Sequence, residues 1–386
     1  MTVRIEVEPS LLTWARARSG LDAEVFVRRF PRYESWLAGE SQPTLRQLQE
    51  FARKTYTPVG FLFLSEPPVE QVPIPDFRTV ADRQVLSGQR SVVSADLLDT
   101  VYAAQARQEW FRDSQLLNGE DPLTFVASLG LTMPIEQAAG EIRETLDWHQ
   151  DLSMPSWEAA LRLLRERAEA VGVLVSIAGM VGANTSRKLD PDDFRGFALV
   201  DSYAPLVFVN GADSKAAQIF TLAHELAHIW LGESALSDVD PISVRDHESE
   251  RWCNQVAAEL LVPMAEFRQA FDPEKELRGQ LGPLAARFRV STQVILGQVR
   301  EAGWIDWTRF VDELRAERER VAAIVTEEGG GGNYYNSRPV QIGKRFAREV
   351  IVSTLEGHTT YKEAFSLLGI RKTSTFEGLG RQLGVM

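Results

Sequence analysis

The apolar positions of the chain change period twice, and each change marks a boundary. Leu12, Ala15, Leu21, Val25 and Val27, then Trp36, Leu37, Leu45, Leu48 and Phe51, recur at helical spacing, broken by Gly20, Pro31, Gly39 and Pro43. That pattern predicts short amphipathic helices. FLFLSEPP closes this stretch and the Pro-rich VPIPDFR reads as a connector, which puts a boundary near residue 75. Residues 91–170 keep a helical period in three runs, SADLLDTVYAAQARQEWFRD, TMPIEQAAGEIRETLDW and PSWEAALRLLRERAEAVG. Thr132, two residues before Pro134, and Ser156, beside Pro155, are N-terminal signals for the second and third. After Gly172 the period shortens. VLVSIAGMV, RGFALVD and LVFVN are rich in Val, Phe and Ile, are separated by turn formers, and read as strands.

The helical period then returns. NGADSKAAQIFTLAHELAHIWLG predicts a helix opening near Asp213 or Ser214 and ending at Gly232, and a polar loop leads to a second helix, HESERWCNQVAAELLVP, stopped by Pro263. Helices continue to residue 325, EEGGGGNYYNSRP reads as a flexible linker, and GKRFAREVIVSTLEG, TTYKEAFSLLGI and TSTFEGLGRQLG close the chain. The expected organisation is therefore residues 1–75, a helical unit with its connector; 76–326, a central domain with its core at 172–263; 327–336, the linker; and 337–386, a small helical C-terminal domain. The fold class is α+β, mostly helical, with one small sheet packed on a helical core.

Composition narrows the setting. The 386 residues exceed one ordinary core, and 44% apolar with 25% charged residues is a soluble globular mixture. No apolar run approaches the roughly 20 residues that span a bilayer. MTVRIEVEPS has acidic residues and no apolar stretch, so it does not read as a signal peptide. The single cysteine, Cys253, excludes an internal disulfide framework and a multi-cysteine metal site. A cytoplasmic protein with no membrane association is expected. The net charge of −12 opposes general nucleic-acid affinity, but residues 1–66 carry 9 basic and 8 acidic groups and residues 333–386 carry 8 and 4. The acidic excess lies between the ends.

The sharpest chemical signal is TLAHELAHIW. On a helix His224 and His228 stand one turn apart on one face, so two imidazoles can hold one divalent ion with Glu225 beside them. A hydrolytic zinc site needs three protein ligands and an open position for water. The next helix offers the third. Glu250 and Asn254 are four apart and share a face, which makes Glu250 the expected ligand, with Glu248 and His247 as competitors. Asn254 would hold a metal-bound histidine through its other ring nitrogen. Glu225 would take a proton from the attacking water and pass it to the leaving amine. One zinc, or another divalent ion, per chain is expected. An extended substrate would add to a sheet edge, here expected beside LVFVN.

RGFALVDSYAPLVFVN, TLAHELAHIWLG and ESERWCNQVAAELLVP, in that order, resemble the ImmA/IrrE metallo-endopeptidases. In that family a strand pair ending in Asn precedes HExxH and then E-x-x-A-N-x-F-A-A-x-L-L-M-P. His224, Glu225 and His228 match the first motif, Glu250 and Asn254 the acidic ligand and the Asn, and Ala257, Ala258, Leu260, Leu261 and Pro263 the tail. Cys253, Val256 and Val262 depart from the usual Ala, Phe and Met. The resemblance covers residues 172–263 and implies an HExxH zincin-like core and a cytoplasmic endopeptidase that cleaves a transcriptional repressor or another regulatory protein; some relatives are encoded with toxin-like partners. More loosely, SGLDAEVFVRRF to FLFLSEPP resembles the phage-repressor-like helix-turn-helix fused to many members. That implies DNA contacts, with Arg28, Arg29 and Arg32 available in FVRRFPRYESWLAGE. The alternative function is a DNA-binding regulator or antitoxin whose peptidase fold serves partner recognition.

Overall fold

The structure, a computed structural model, describes residues 4–76, 93–149, 154–237, 247–324 and 339–386. It divides into two compact units, Met1–Pro73 with Val80–Tyr102, and Ile74–Thr79 with Ala103–Met386. The expected linker 327–336 lies outside the described residues.

In the N-terminal unit four short helices, α1 (Pro9–Arg18), α2 (Ala23–Arg29), α3 (Tyr33–Leu37) and α4 (Leu45–Lys54), surround an aromatic core. Phe51 sits at its centre, with its ring centroid 5.1 to 6.2 Å from those of Phe26, Phe30, Tyr33 and Trp36. Local chemistry sets the helix starts. Asp22 accepts from the N–H groups of Glu24 and Val25, and Thr44 and Gln47 form a reciprocal capping box. Helix α3 is only five residues long and commits Tyr33 and Trp36 to the core, while Arg28, Arg29 and Arg32 are exposed. Arg18 is buried and binds the chain just ahead of the connector, its Nε donating to Glu70 Oε2 at 2.6 Å.

Helix α5 (Ala95–Asn118) runs from one unit's residues into the other's. In the larger unit α6 (Ile135–Leu146) and α7 (Trp157–Ala170) lead into a mixed four-stranded sheet. Ser156 caps α7 as its sequence suggests, whereas α6 starts after Pro134 without a side-chain cap. The strands are β1 (Leu174–Ala178), β2 (Gly196–Leu199), β3 (Leu206–Asn210) and, beyond helix α8 (Lys215–Leu231), β4 (Ala235–Ser237). Their order is β1-β3-β2-β4; β1 and β3 are parallel, and β2 is antiparallel to both of its neighbours. All residues of β1, β2 and β3 are buried. Continuous apolar runs are what a sheet covered on both faces demands. LVFVN is β3, an inner strand paired on both sides, so it cannot be the edge to which a further strand adds; the edges are β1 and β4.

Helix α9 (Glu248–Leu261) packs across α8, and α10 (Met264–Ala270), α11 (Leu277–Phe288), α12 (Thr292–Glu301) and α13 (Trp307–Ile324) extend the same hydrophobic core. The C-terminal helices α14 (Lys344–Leu355), α15 (Tyr361–Leu368) and α16 (Thr373–Gln382) join it at β1. Gly343 has φ +89°, and a Cβ there would come within 3.1 Å of the Val175 carbonyl oxygen. The amide of Lys344 donates to Glu169 Oε1 at 2.7 Å, so a carboxylate of α7 anchors the start of α14.

Candidate metal centre

Helix α8 is held at both ends by residues suited to the task. Ser214 caps its start by accepting from the Ala217 N–H, and Gly232 ends it in the left-handed region at φ +86°. Every residue from Gln218 to Trp230 is buried, between β2 and β3 on one side and α7 and α9 on others. A helix so enclosed should be apolar all round. This one carries His224, Glu225 and His228, each fully buried. The other three histidines, His149, His247 and His358, are exposed.

The buried polar groups converge. His224 Nε2 and His228 Nε2 are 3.1 Å apart, Glu250 Oε1 is 3.1 Å from His228 Nε2, and Glu250 Oε2 is 3.5 Å from His224 Nε2. Glu250 reaches them from the first turn of α9 and is itself fully buried. Burial raises the pKa of its carboxyl, but the charges and hydrogen bonds of His224 and then His228 outweigh that and hold it far below the usual carboxylate range. The three side chains form a group that could hold a metal ion. Two imidazole nitrogens facing one point need a proton or a cation between them. A four-coordinate ion with bonds of about 2.0–2.1 Å sets its ligand atoms about 3.3 Å apart, and the spacings here straddle that value. The donor set, two nitrogens and one carboxylate, fits the ion.

Glu248 and His247, the competing ligands, are both exposed at the start of α9, and His247 is the residue before its first turn. Asn254, one turn after Glu250, is buried at the rim of a cavity of about 220 Å³ that Phe220 also lines. Cys253 is buried beside the acidic groups, and desolvation, then Glu250 and Glu225, push its thiol well above the ordinary range, so it stays protonated and inert.

A residue that sequence reasoning passed over positions Glu225. Gly196, the first residue of β2, lies so close to α8 that a Cβ would meet Thr221 Cγ2 at 2.6 Å, Phe208 O at 2.9 Å and Glu225 Oε1 at 3.1 Å. Only a glycine lets the strand lie against the Glu225 carboxylate. The signal was present: a glycine opening the apolar run RGFALVD marks a close backbone approach.

Two buried histidines of an HExxH helix and a buried glutamate from the next helix, packed on a small mixed sheet, define a metallopeptidase. Residues 168–298 match the family model of the IrrE N-terminal-like domain, peptidase M78, so the chain carries a domain of that family. Residues 342–382 match a family described as a domain of unknown function. A search of curated proteins finds no match to the chain. Among the described residues no helix is long and apolar enough to cross a membrane.

Proposed function

We propose that the chain is a zinc-dependent endopeptidase that cleaves a specific regulatory protein in the cytoplasm, a transcriptional repressor or a toxin-like partner. The observation that carries this reading is the buried convergence of His224, His228 and Glu250, with Glu225 on the same helix. In this reading His224, His228 and Glu250 hold one zinc, or another divalent ion, per chain. An ion held there would supply Lewis acidity that makes the attacking water a readier proton donor. Glu225 accepts the proton that the attacking water gives up and delivers it to the departing amine nitrogen. Gly196 leaves the room in which its carboxylate stands, and the enclosed helix excludes bulk water. Asn254 orients a histidine through its second ring nitrogen. The peptidase domain is assigned to residues 76–326, with 1–75 as an N-terminal partner- or DNA-binding unit and 337–386 as a C-terminal domain.

The test compares new protein N-termini in cells expressing the native chain with those in cells expressing the Glu225→Gln variant, both purified in parallel for metal analysis. The expected result is a small set of N-termini that require Glu225. Identical sets, with metal bound in both proteins, would overturn the peptidase and leave a binding regulator built on the same fold.

A further inference from the structure

Of the sheet's two edges, β4 is the one paired to the strand that abuts the Glu225 carboxylate. Gly196, the residue pressed against Glu225, pairs with Ser237 at the end of β4, so only β2 stands between β4 and α8's carboxylate. The other edge, β1, lies beyond β3 and is met by Gly343. An extended peptide brought to the metal centre by strand addition therefore adds outside β4. That outer edge is already paired. The Leu236 N–H donates to the Pro75 carbonyl at 2.9 Å, and Asp76 forms a parallel bridge with Leu236. Ile74 anchors the segment, being only 9% exposed.

We infer that Ile74–Asp76 is a built-in occupant of the substrate-docking edge, and that the resting chain is shut until this segment leaves β4. The inference rests on the peptidase reading above. The occupant's chemistry suits exchange. Pro75 has no N–H, so this strand offers fewer ladder bonds than an ordinary peptide of the same length. Beside the Ile74 anchor, its tether keeps it in place: a linked segment competes at an effective concentration on the order of millimolar. A weak, generic peptide loses that competition. A partner with a longer extended segment, full of backbone donors and with an apolar side chain for the Ile74 position, wins it. Four residues upstream of Ile74, Glu70 is paired with the buried Arg18.

The experiment uses full-length chains carrying Glu225→Gln, with and without Ile74→Asp, and a fluorescein-labelled peptide copying Val72–Phe77. Ile74→Asp removes the anchor, so hydrogen exchange at the Leu236 amide should quicken and the labelled peptide should bind at least tenfold tighter, with metal content unchanged. Ile74→Ala, a milder change that preserves folding, should shift both readouts the same way by less. Faster exchange at Leu236 with no change in peptide affinity would overturn the inference, as would unchanged exchange in both variants. With Glu225 restored, Ile74→Asp should raise hydrolysis of a quenched peptide about tenfold. Binding that differs as predicted while neither chain hydrolyses any peptide supports the occupied edge and counts against the peptidase reading, so the two can fail separately.

Discussion

Glu225 and Glu250 are both fully buried carboxylates near the same two imidazoles, and their neighbours give them different work. Glu250 faces His224 and His228 at 3.1 to 3.5 Å, whereas the Glu225 carboxylate lies against the start of β2. Glu225→Gln should therefore keep the metal and the fold while cleavage falls on the order of 10²- to 10⁴-fold, the usual worth of a general base. Glu250→Ala should lose the metal instead. Paired metal analysis and rate measurements check both. Gly196→Ala puts a methyl within 2.6 to 3.1 Å of Thr221, Phe208 and Glu225, and overpacking of that kind costs about 1–3 kcal/mol. A lower melting temperature, with cleavage reduced further than the fraction unfolded accounts for, is the expected result; normal stability and rate would remove Gly196 from the site. At this scale the spacing of His224, Glu225 and His228 was legible because helix geometry alone puts i and i+4 together. The choice of Glu250 over Glu248 needed the phase of α9 against α8, which the sequence suggested but only the packing displays.

Elements were legible where burial is uniform or a cap is explicit. The runs LVSIA, GFAL and LVFVN are apolar throughout because both sheet faces are covered, and Ser214 and Gly232 announce the ends of α8. Strand β4 was not foreseen. Ala235–Ser237 is three residues long with no period of its own, and it is a strand through its pairing with β2. The identity of the edge was hidden for the same reason, since strand order is set by contacts distant in sequence. The helix ends carry measurable free energy. Ser214→Ala removes the bond to Ala217 N–H and should cost about 1 kcal/mol. Gly232→Ala should cost more, because the residue sits at φ +86° and its Cβ would come within 2.6 Å of that of Ala127. Thermal melts of the two variants rank these effects, and Gly232→Ala melting no lower than Ser214→Ala would contradict the ranking.

Across the whole molecule, the functional groups of the metal centre all lie in the unit Ile74–Thr79 with Ala103–Met386. Deleting residues 1–66 should leave the metal-to-chain ratio unchanged. It should also lower solubility, because the N-terminal unit includes Leu97, Leu98 and Val101 of α5, all buried in the intact chain. If the N-terminal unit binds DNA, Arg28→Ala with Arg29→Ala should weaken binding, and native affinity should fall steeply with added salt as phosphate contacts release counterions. No salt-sensitive binding would leave protein docking as that unit's role; its five-residue α3 offers a short surface for reading a groove. Prolines and a change of period suggest a division near residue 75, but not that the connector itself pairs with β4, because strand addition by three residues leaves no trace in composition. The central claim is that His224, His228 and Glu250 hold one metal ion that Glu225 does not ligate. Its most direct test is the zinc content per chain, by elemental mass spectrometry, of the native protein, Glu225→Gln, Glu250→Ala and the His224→Ala, His228→Ala double variant. About one zinc in the first two and almost none in the others is predicted; stoichiometric zinc in the double histidine variant would contradict the account.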